Sequence, residues 1–150
     1  MKNIRPKLTR LFKEGYCTPQ IARIARTINE PSATIHYNIK KLESEKAIRT
    51  YKAVFDYNKI DEGFCAYVLI ALAPGEYLTP ERVARELAKH KEVESVDLVT
   101  GEWELVVKIR TKDQDEYYNF LREVIAVQEG LQKTKSMISL KQIKTEFVLL

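Results

Sequence analysis

Ser32, Thr34, His36, Tyr37, Lys40 and Lys41 fall in one sixteen-residue stretch, residues 31–46, PSATIHYNIKKLESEK. Hydroxyl, imidazole and ammonium groups reach base edges and phosphates when a helix lies in a major groove. In that stretch Ile35, Ile39 and Leu42 recur at helical spacing and supply a buried face, so the polar residues lie opposite them. An ordinary solvated helix face has the same pattern, and Tyr37 could equally stack on a core. Few bidentate base readers stand at the helix front, which shifts expected recognition toward DNA shape. Lys46, Arg49 and Lys52 continue the basic run and are candidates for phosphate.

A second chemical group lies later in the chain, at Thr100-Gly101-Glu102-Trp103-Glu104. Glycine brings backbone N–H groups close to a small ligand. The Thr100 hydroxyl and a carboxylate at Glu102 or Glu104 could then hold the two ends of an amino-acid zwitterion. A plain hairpin turn explains Gly101 by itself, and spacing alone favours that simpler account. His36 and His90 have no Cys or acidic partner at ligand spacing, so no metal site is expected. The five glycines are scattered and build no phosphate loop. Nothing pairs a nucleophile with a base, so the chain is not expected to be an enzyme or to need a cofactor.

The elements that must position these groups follow from periodicity. Ile4, Leu8, Leu11 and Phe12 predict a first helix over residues 4–14, stopped by Gly15. Thr18 as N-cap and Pro19 at the first position predict a second helix to Thr27, with Ile21, Ala22, Ile24, Ala25 and Ile28 inward. Asn29, Glu30 and Pro31 break it, and Pro31 opens the third helix. The second and third helices together read as a helix-turn-helix whose reading helix comes last. Alternation in Arg49–Asn58 predicts a strand or two-stranded wing. Polar residues 58–63 mark the boundary between a DNA-binding domain, residues 1–57 including the wing and linker, and a second domain, residues 63–150.

That second half predicts strands over Phe64–Ala73, Val93–Thr100, Trp103–Arg110 and Ser136–Phe147. Helices are expected from Thr79 onward and over Asp113–Val127, with a Glu81/Arg85 pair on the first. The order β-α-β-β-α-β is the ferredoxin-like arrangement, an antiparallel sheet with two helices on one face. Its other, apolar face calls for a second subunit. The fold class is therefore α+β, a winged helix-turn-helix followed by a ferredoxin-like domain. Charge is split accordingly. Residues 1–62 carry 13 Lys+Arg and 7 Asp+Glu, whereas residues 63–150 carry 12 and 14. Only the front half suits a polyanion. Two lone cysteines and the lack of any long apolar run or signal peptide point to a cytoplasmic protein with no membrane contact.

In these motifs the chain resembles the Lrp/AsnC (feast/famine) transcription regulators. The resemblance is carried by Thr34-Ile35, Ile39-Lys40-Lys41-Leu42-Glu43, Ile48 and the basic segment after it, and by the turn at Thr100–Glu104. Ala47 stands where the family commonly has glycine after the helix, and Ser32 or Glu30 is left to cap it. The resemblance implies an effector, an amino acid, bound at that turn between subunits. It adds Asp97, Trp103, Thr134, Ser136 and Ile138 to Thr100, Gly101, Glu102 and Glu104 as effector contacts. It also implies double-stranded DNA as partner and a homodimer that assembles into tetramers or octamers. Two other readings of the residues stand beside it. One is an architectural DNA-binding protein without effector. The other is a small-molecule-binding or enzymatic ferredoxin-like domain with a docking module.

Overall fold

The structure, a computed structural model, describes residues 3–144. The chain divides into two compact units, residues 1–54 and 55–150. The first contains three helices, α1 (Arg5–Lys13), α2 (Ile21–Ile28) and α3 (Ser32–Ser44). A unit this short buries little. Ala25 and Ile35 are its buried apolar residues among those described, and Ile4, Leu8, Leu11 and Phe12 of α1 all remain exposed.

Local chemistry explains where the helices end. Gly15 follows α1 at φ +100°, and a Cβ there would meet Thr50 Oγ1 at 3.1 Å and the Tyr51 carbonyl at 3.2 Å. Asn29 ends α2 in the left-handed conformation, φ 56°, with its N–H bonded to the Ala25 carbonyl. Asparagine tolerates that conformation better than most residues. The start of α2 corrects the expected cap: Gln20, not Thr18, is the N-cap, and Pro19 lies outside the helix. Pro31 is the N-cap of α3, and no side chain caps the helix, so neither Ser32 nor Glu30 does. The chain leaves α3 through Lys46 at φ 58°, one residue before the Ala47 expected to take the glycine position.

No strand forms over residues 49–58. The alternation is nevertheless realised. Tyr51, Ala53, Phe55 and Tyr57 are half-buried, while Lys52, Val54, Asp56 and Asn58 are exposed. A strand also needs a neighbour for its N–H and C=O groups, and none pairs with this segment. Residues 57–59 instead close a 3₁₀ turn in which the Asp56 carboxylate accepts the Asn58 N–H.

The second unit runs β1 (Phe64–Leu72), α4 (Pro80–Leu87), β2 (Val93–Leu98), β3 (Leu105–Thr111), α5 (Gln114–Phe120) and β4 (Leu131–Ile138). The strands form one antiparallel sheet in the order β2-β3-β1-β4. Val68 pairs with Val107 on β3 and with Ser136 on β4. Ala66, Val68, Ile70 and Leu72 of β1 and Leu105, Val107 and Ile109 of β3 form the core with Val83 and Leu87 of α4 and Tyr117 and Phe120 of α5. Each of those seven strand residues is 0% exposed. The period of two along the strands therefore sends alternate residues under the helices.

Both helix starts follow their sequence. Pro80 is the first residue of α4, after Thr79. Asp113 accepts the Glu116 N–H at 2.9 Å, and the Glu116 carboxylate accepts the Lys112 N–H at 3.0 Å. That reciprocal cap secures α5. A π turn at Leu121–Ile125 continues it. Among the described residues no ion pair joins Glu81 to Arg85. Arg82 instead bonds both oxygens of Glu76, at 2.6 and 3.1 Å. The last strand begins five residues earlier than expected and ends at Ile138. Residues 145–147 of the expected strand lie outside those described.

Candidate functional site

Two groups of residues carry chemistry, one in each unit. In the first, α3 presents Ser32, Thr34, His36, Tyr37, Lys40 and Lys41 to solvent, while Ile35 is buried beneath them. Tyr37 is 68% exposed, so it does not stack on a core within the described chain. The first turn of α3 has no acidic residue and no side-chain cap. Its N–H groups and the positive end of the helix dipole therefore face outward. Glu43 is a local brake on this charge. It pairs with Lys40 at 2.8 Å and accepts the Tyr51 hydroxyl at 3.1 Å. The Lys40 hydrogen bond holds its carboxyl below the usual range. Lys41 stands 3.9 Å from Glu45. Beyond α3, Lys46, Arg49 and Lys52 are exposed.

The structure adds two cations that the sequence reading passed over. Arg23 and Arg26 flank a shallow depression on α2 with Gln20, Ile21, Ala22 and Thr27. They stand opposite the apolar stripe of α2, and that i, i+3 spacing was the available signal. The first unit holds 12 Lys+Arg against 4 Asp+Glu, a net of +8.

In the second unit the connection between β2 and β3 is not a tight turn but six residues, 99–104, closed by the Val99 N–H on the Glu104 carbonyl at 2.9 Å. Glu104 ties this loop across the end of the sheet. Its N–H donates to the Ile70 carbonyl at 3.0 Å, and its carboxylate accepts the Leu72 N–H at 2.8 Å. One Glu104 oxygen is thereby committed to holding β1. The loop carries Glu102 and Trp103 to β4. There Lys133 Nζ lies 2.9 Å from Glu102 Oε1 and 4.7 Å from the centre of the Trp103 ring. Lys133, followed by Lys135, holds the Glu102 carboxyl below its ordinary value. Gly101 sits at φ +123° with nothing within 4 Å of where a Cβ would be, so its side faces open space.

Gly101, Glu102 and Trp103 thus meet at one end of the sheet, together with Lys133, which the sequence reading did not name. Thr100 is exposed in the same loop. The other expected contacts are distributed differently. Thr134 pairs with Ile70, level with the loop, but points to the helix side of the sheet. Ser136 lies one step further, and its Oγ accepts the Tyr117 hydroxyl at 2.6 Å. Ile138 pairs with Ala66. At ~3.4 Å per residue it stands about 14 Å along the strand from Thr134, so it is not part of this cluster. Asp97 pairs with Val106, on the same level as Lys135 but three strands away, about 14 Å at ~4.8 Å per strand. Within one chain it does not meet Lys133 either.

The sheet face without helices carries Tyr67, Leu69, Val106 and Met137 together with charged groups. Glu94 bonds Lys108 at 2.7 Å and Arg110 at 2.8 Å. The Arg110 guanidinium lies 3.5 Å from the Tyr57 ring centre and donates to Gln142 at 2.8 Å. Gln142 reaches the buried Cys65 sulfur at 3.3 Å. Among the described residues no cluster of His, Cys, Asp and Glu is arranged to hold a metal ion. No helix among them is long and apolar enough to cross a membrane.

Comparison with known proteins agrees with this architecture. The Lrp/AsnC ligand binding domain family matches residues 65–149. The transcriptional regulator FL11 of Pyrococcus horikoshii is 31% identical over 144 residues, 96% of this chain and 92% of the relative. FL11 of Pyrococcus furiosus is 32% identical, covering 94% of this chain and 90% of the relative. Among solved structures, an AsnC family transcriptional regulator from Agrobacterium tumefaciens superimposes with a TM-score of 0.76 at 22% identity, covering 100% of this chain and 97% of that one. The regulator NMB0573 of Neisseria meningitidis, solved as its L-Met complex, gives 0.72 at 21% identity over 100% and 96% of the two chains. The helix-turn-helix unit, the βαββαβ unit and these matches together place the chain in the Lrp/AsnC family of transcriptional regulators.

Proposed function

We propose that this regulator binds duplex DNA through α3 and that a free amino acid, bound at the 99–104 loop, modulates its assembly or its affinity for DNA. The observation that carries the DNA reading is α3 itself. It has an outward polar row and an uncapped, acid-free first turn on a unit of net charge +8. Ser32, Thr34, His36 and Tyr37 face the bases, and Lys40, Lys41, Arg49 and Lys52 face phosphate. Arg23 and Arg26 extend the phosphate contacts along α2. The open apolar positions of the sheet support dimerisation through that face, with dimers assembling further. A dimer carrying two reading helices calls for half-sites about 10 bp apart or a multiple of that.

The amino-acid reading is supported by the loop: an open Gly101, an aromatic face and one group of each charge side by side. The Neisseria neighbour of the same fold holds L-Met. Control then requires unequal affinity of the effector for two assemblies. The DNA reading is tested by duplex binding across a salt series. The logarithm of affinity should fall linearly with the logarithm of salt, and Arg49→Ala or Lys52→Ala should each reduce the slope by about 0.9 per DNA-bound subunit. A chain that binds no duplex at low salt refutes it. The effector reading is tested by the shift in thermal midpoint with each of the twenty amino acids, read beside mass by light scattering.

A further inference from the structure

We propose that Arg110 is a positioning residue: it fastens the segment that enters the second unit to the sheet, and so sets the length of the link that carries the reading helix. This rests on the DNA reading above. Arg110 stands on the helix-free face of β3 and is 8% exposed. Its partners come from four separate parts of the chain. Nε donates to Glu94 Oε2 of β2 at 2.8 Å, and Nη2 donates to Gln142 Oε1, beyond β4, at 2.8 Å. Nη1 donates to the Glu62 carbonyl at 3.4 Å, and the guanidinium lies 3.5 Å from the Tyr57 ring centre. A planar fork with several N–H groups and a flat face serves all four at once, which an ammonium cannot. Tyr57 and Glu62 are the two ends of a loop folded on itself. The Ile60 and Glu62 N–H groups both donate to the Tyr57 carbonyl, at 3.2 and 3.1 Å, and Asp56 accepts from the Asn58 and Lys59 N–H groups. Those bonds close the loop but do not reach the sheet. Arg110 ties the loop to the sheet at both ends. On the first unit, the Tyr51 hydroxyl donates to Glu43 of α3 at 3.1 Å. Residues 52–56 are the stretch between these two anchors. Without Arg110 the stretch extends to residue 63, since β1 begins at Phe64. A link roughly 2.4 times longer lowers the effective concentration of the second reading helix on a two-site duplex about fourfold. It also admits half-site spacings that the short link forbids.

The full-length protein is compared with Arg110→Met, Tyr57→Leu and Glu94→Gln by amide exchange, read by mass spectrometry over residues 57–62. Tyr57→Leu removes the ring and leaves the Arg110–Glu94 pair, so it tests the fastening even if Arg110→Met does not fold. Glu94→Gln loosens the same network but leaves Tyr57 and Glu62 on Arg110, so it reads a merely structural weakening. Exchange over 57–62 should rise about tenfold or more in the first two, through the loss of a charged hydrogen bond or the ring contact, and stay near wild type in the third. DNA binding is then measured on a duplex selected by wild type from random sequence. The same duplex is remade with about 5 bp, half a turn, inserted between its half-sites. Arg110→Met and Tyr57→Leu should bind the parent duplex about fourfold more weakly and lose most of the penalty for the insertion. Their mass by light scattering should match wild type, and Glu94→Gln should keep the full penalty. Wild-type exchange in both variants, or equal loosening in Glu94→Gln, overturns the fastening. A loosened loop with an unchanged insertion penalty overturns the positioning role. Each of these results leaves the DNA reading intact, whereas a wild type that binds no duplex overturns both.

Discussion

Replacing Glu94 by Gln removes a carboxylate shared by two cations on the open sheet face. Its oxygens lie 2.7 Å from Lys108 and 2.8 Å from Arg110. The three side chains are 30%, 18% and 5% exposed. Breaking a fully buried pair costs about 3–5 kcal/mol, and an exposed pair less than ~1. Glu94 is between these limits, so solvent screening discounts the larger figure. Arg110 also keeps Gln142, the Glu62 carbonyl and the Tyr57 ring. A loss of about 2 kcal/mol follows, which lowers the midpoint of a unit this size by about 8–16 °C. Thermal unfolding followed by circular dichroism, at one fixed protein concentration, reads it. Lys40→Met is the control, because Lys40 is 63% exposed and its pair with Glu43 should move the midpoint little. The pH dependence sharpens the test. Burial pushes the Glu94 carboxyl up, but the hydrogen bonds from Lys108 and Arg110 together outweigh it and hold it below its ordinary value of 4.5. Its stabilisation is therefore present above about pH 4.5 and lost as pH falls through the lower folded value. The gap between wild type and Glu94→Gln should close in that acid window. A Glu94→Gln midpoint no lower than that of Lys40→Met, or a gap that stays constant below pH 4.5, refutes this account of the network.

Two further substitutions test the backbone. Lys46→Gly should stabilise the first unit by roughly 0.5–1 kcal/mol, because the residue leaving α3 sits at φ 58° and glycine takes that conformation without strain. Ala47→Gly should bring no such gain, and urea midpoints compare the two. Gly101→Val should abolish amino-acid binding through the strain of a β-branched residue at φ +123°, with the mass by light scattering unchanged, since the added Cβ meets nothing within 4 Å. Unchanged ligand affinity in that variant would remove the loop from the site.

Much of the fold was legible in the chain because it depends on local chemistry. The helical spacing around Ile35, Pro31 and Pro80 at helix starts and the apolar run of β1 all act within a few residues. The outward row of α3 follows from the same rule, since burying Ile35 turns Tyr37, Lys40 and Lys41 away. What failed depends on partners distant in sequence. Residues 51–57 have the alternation of a strand, but a ladder requires a neighbour, and none pairs with them among the described residues. Sequence places the last strand at Ser136–Phe147. β1 selects the polar run from Leu131 instead, because its free edge pairs there and leaves Lys133 and Lys135 outward. Only that pairing, with Glu104 anchoring its loop to Leu72 from 32 residues away, brings Glu102 and Trp103 to Lys133. Sequence alone determined that β1 is an inward apolar strand and that Pro80 opens α4, since these are properties of short spacing, whereas Ile4, Leu8, Leu11, Phe12, Ile28 and Leu42, expected inward by the same rule, are exposed. The tertiary structure decided which charged groups share a site, because that is set by strand register and no local preference encodes it.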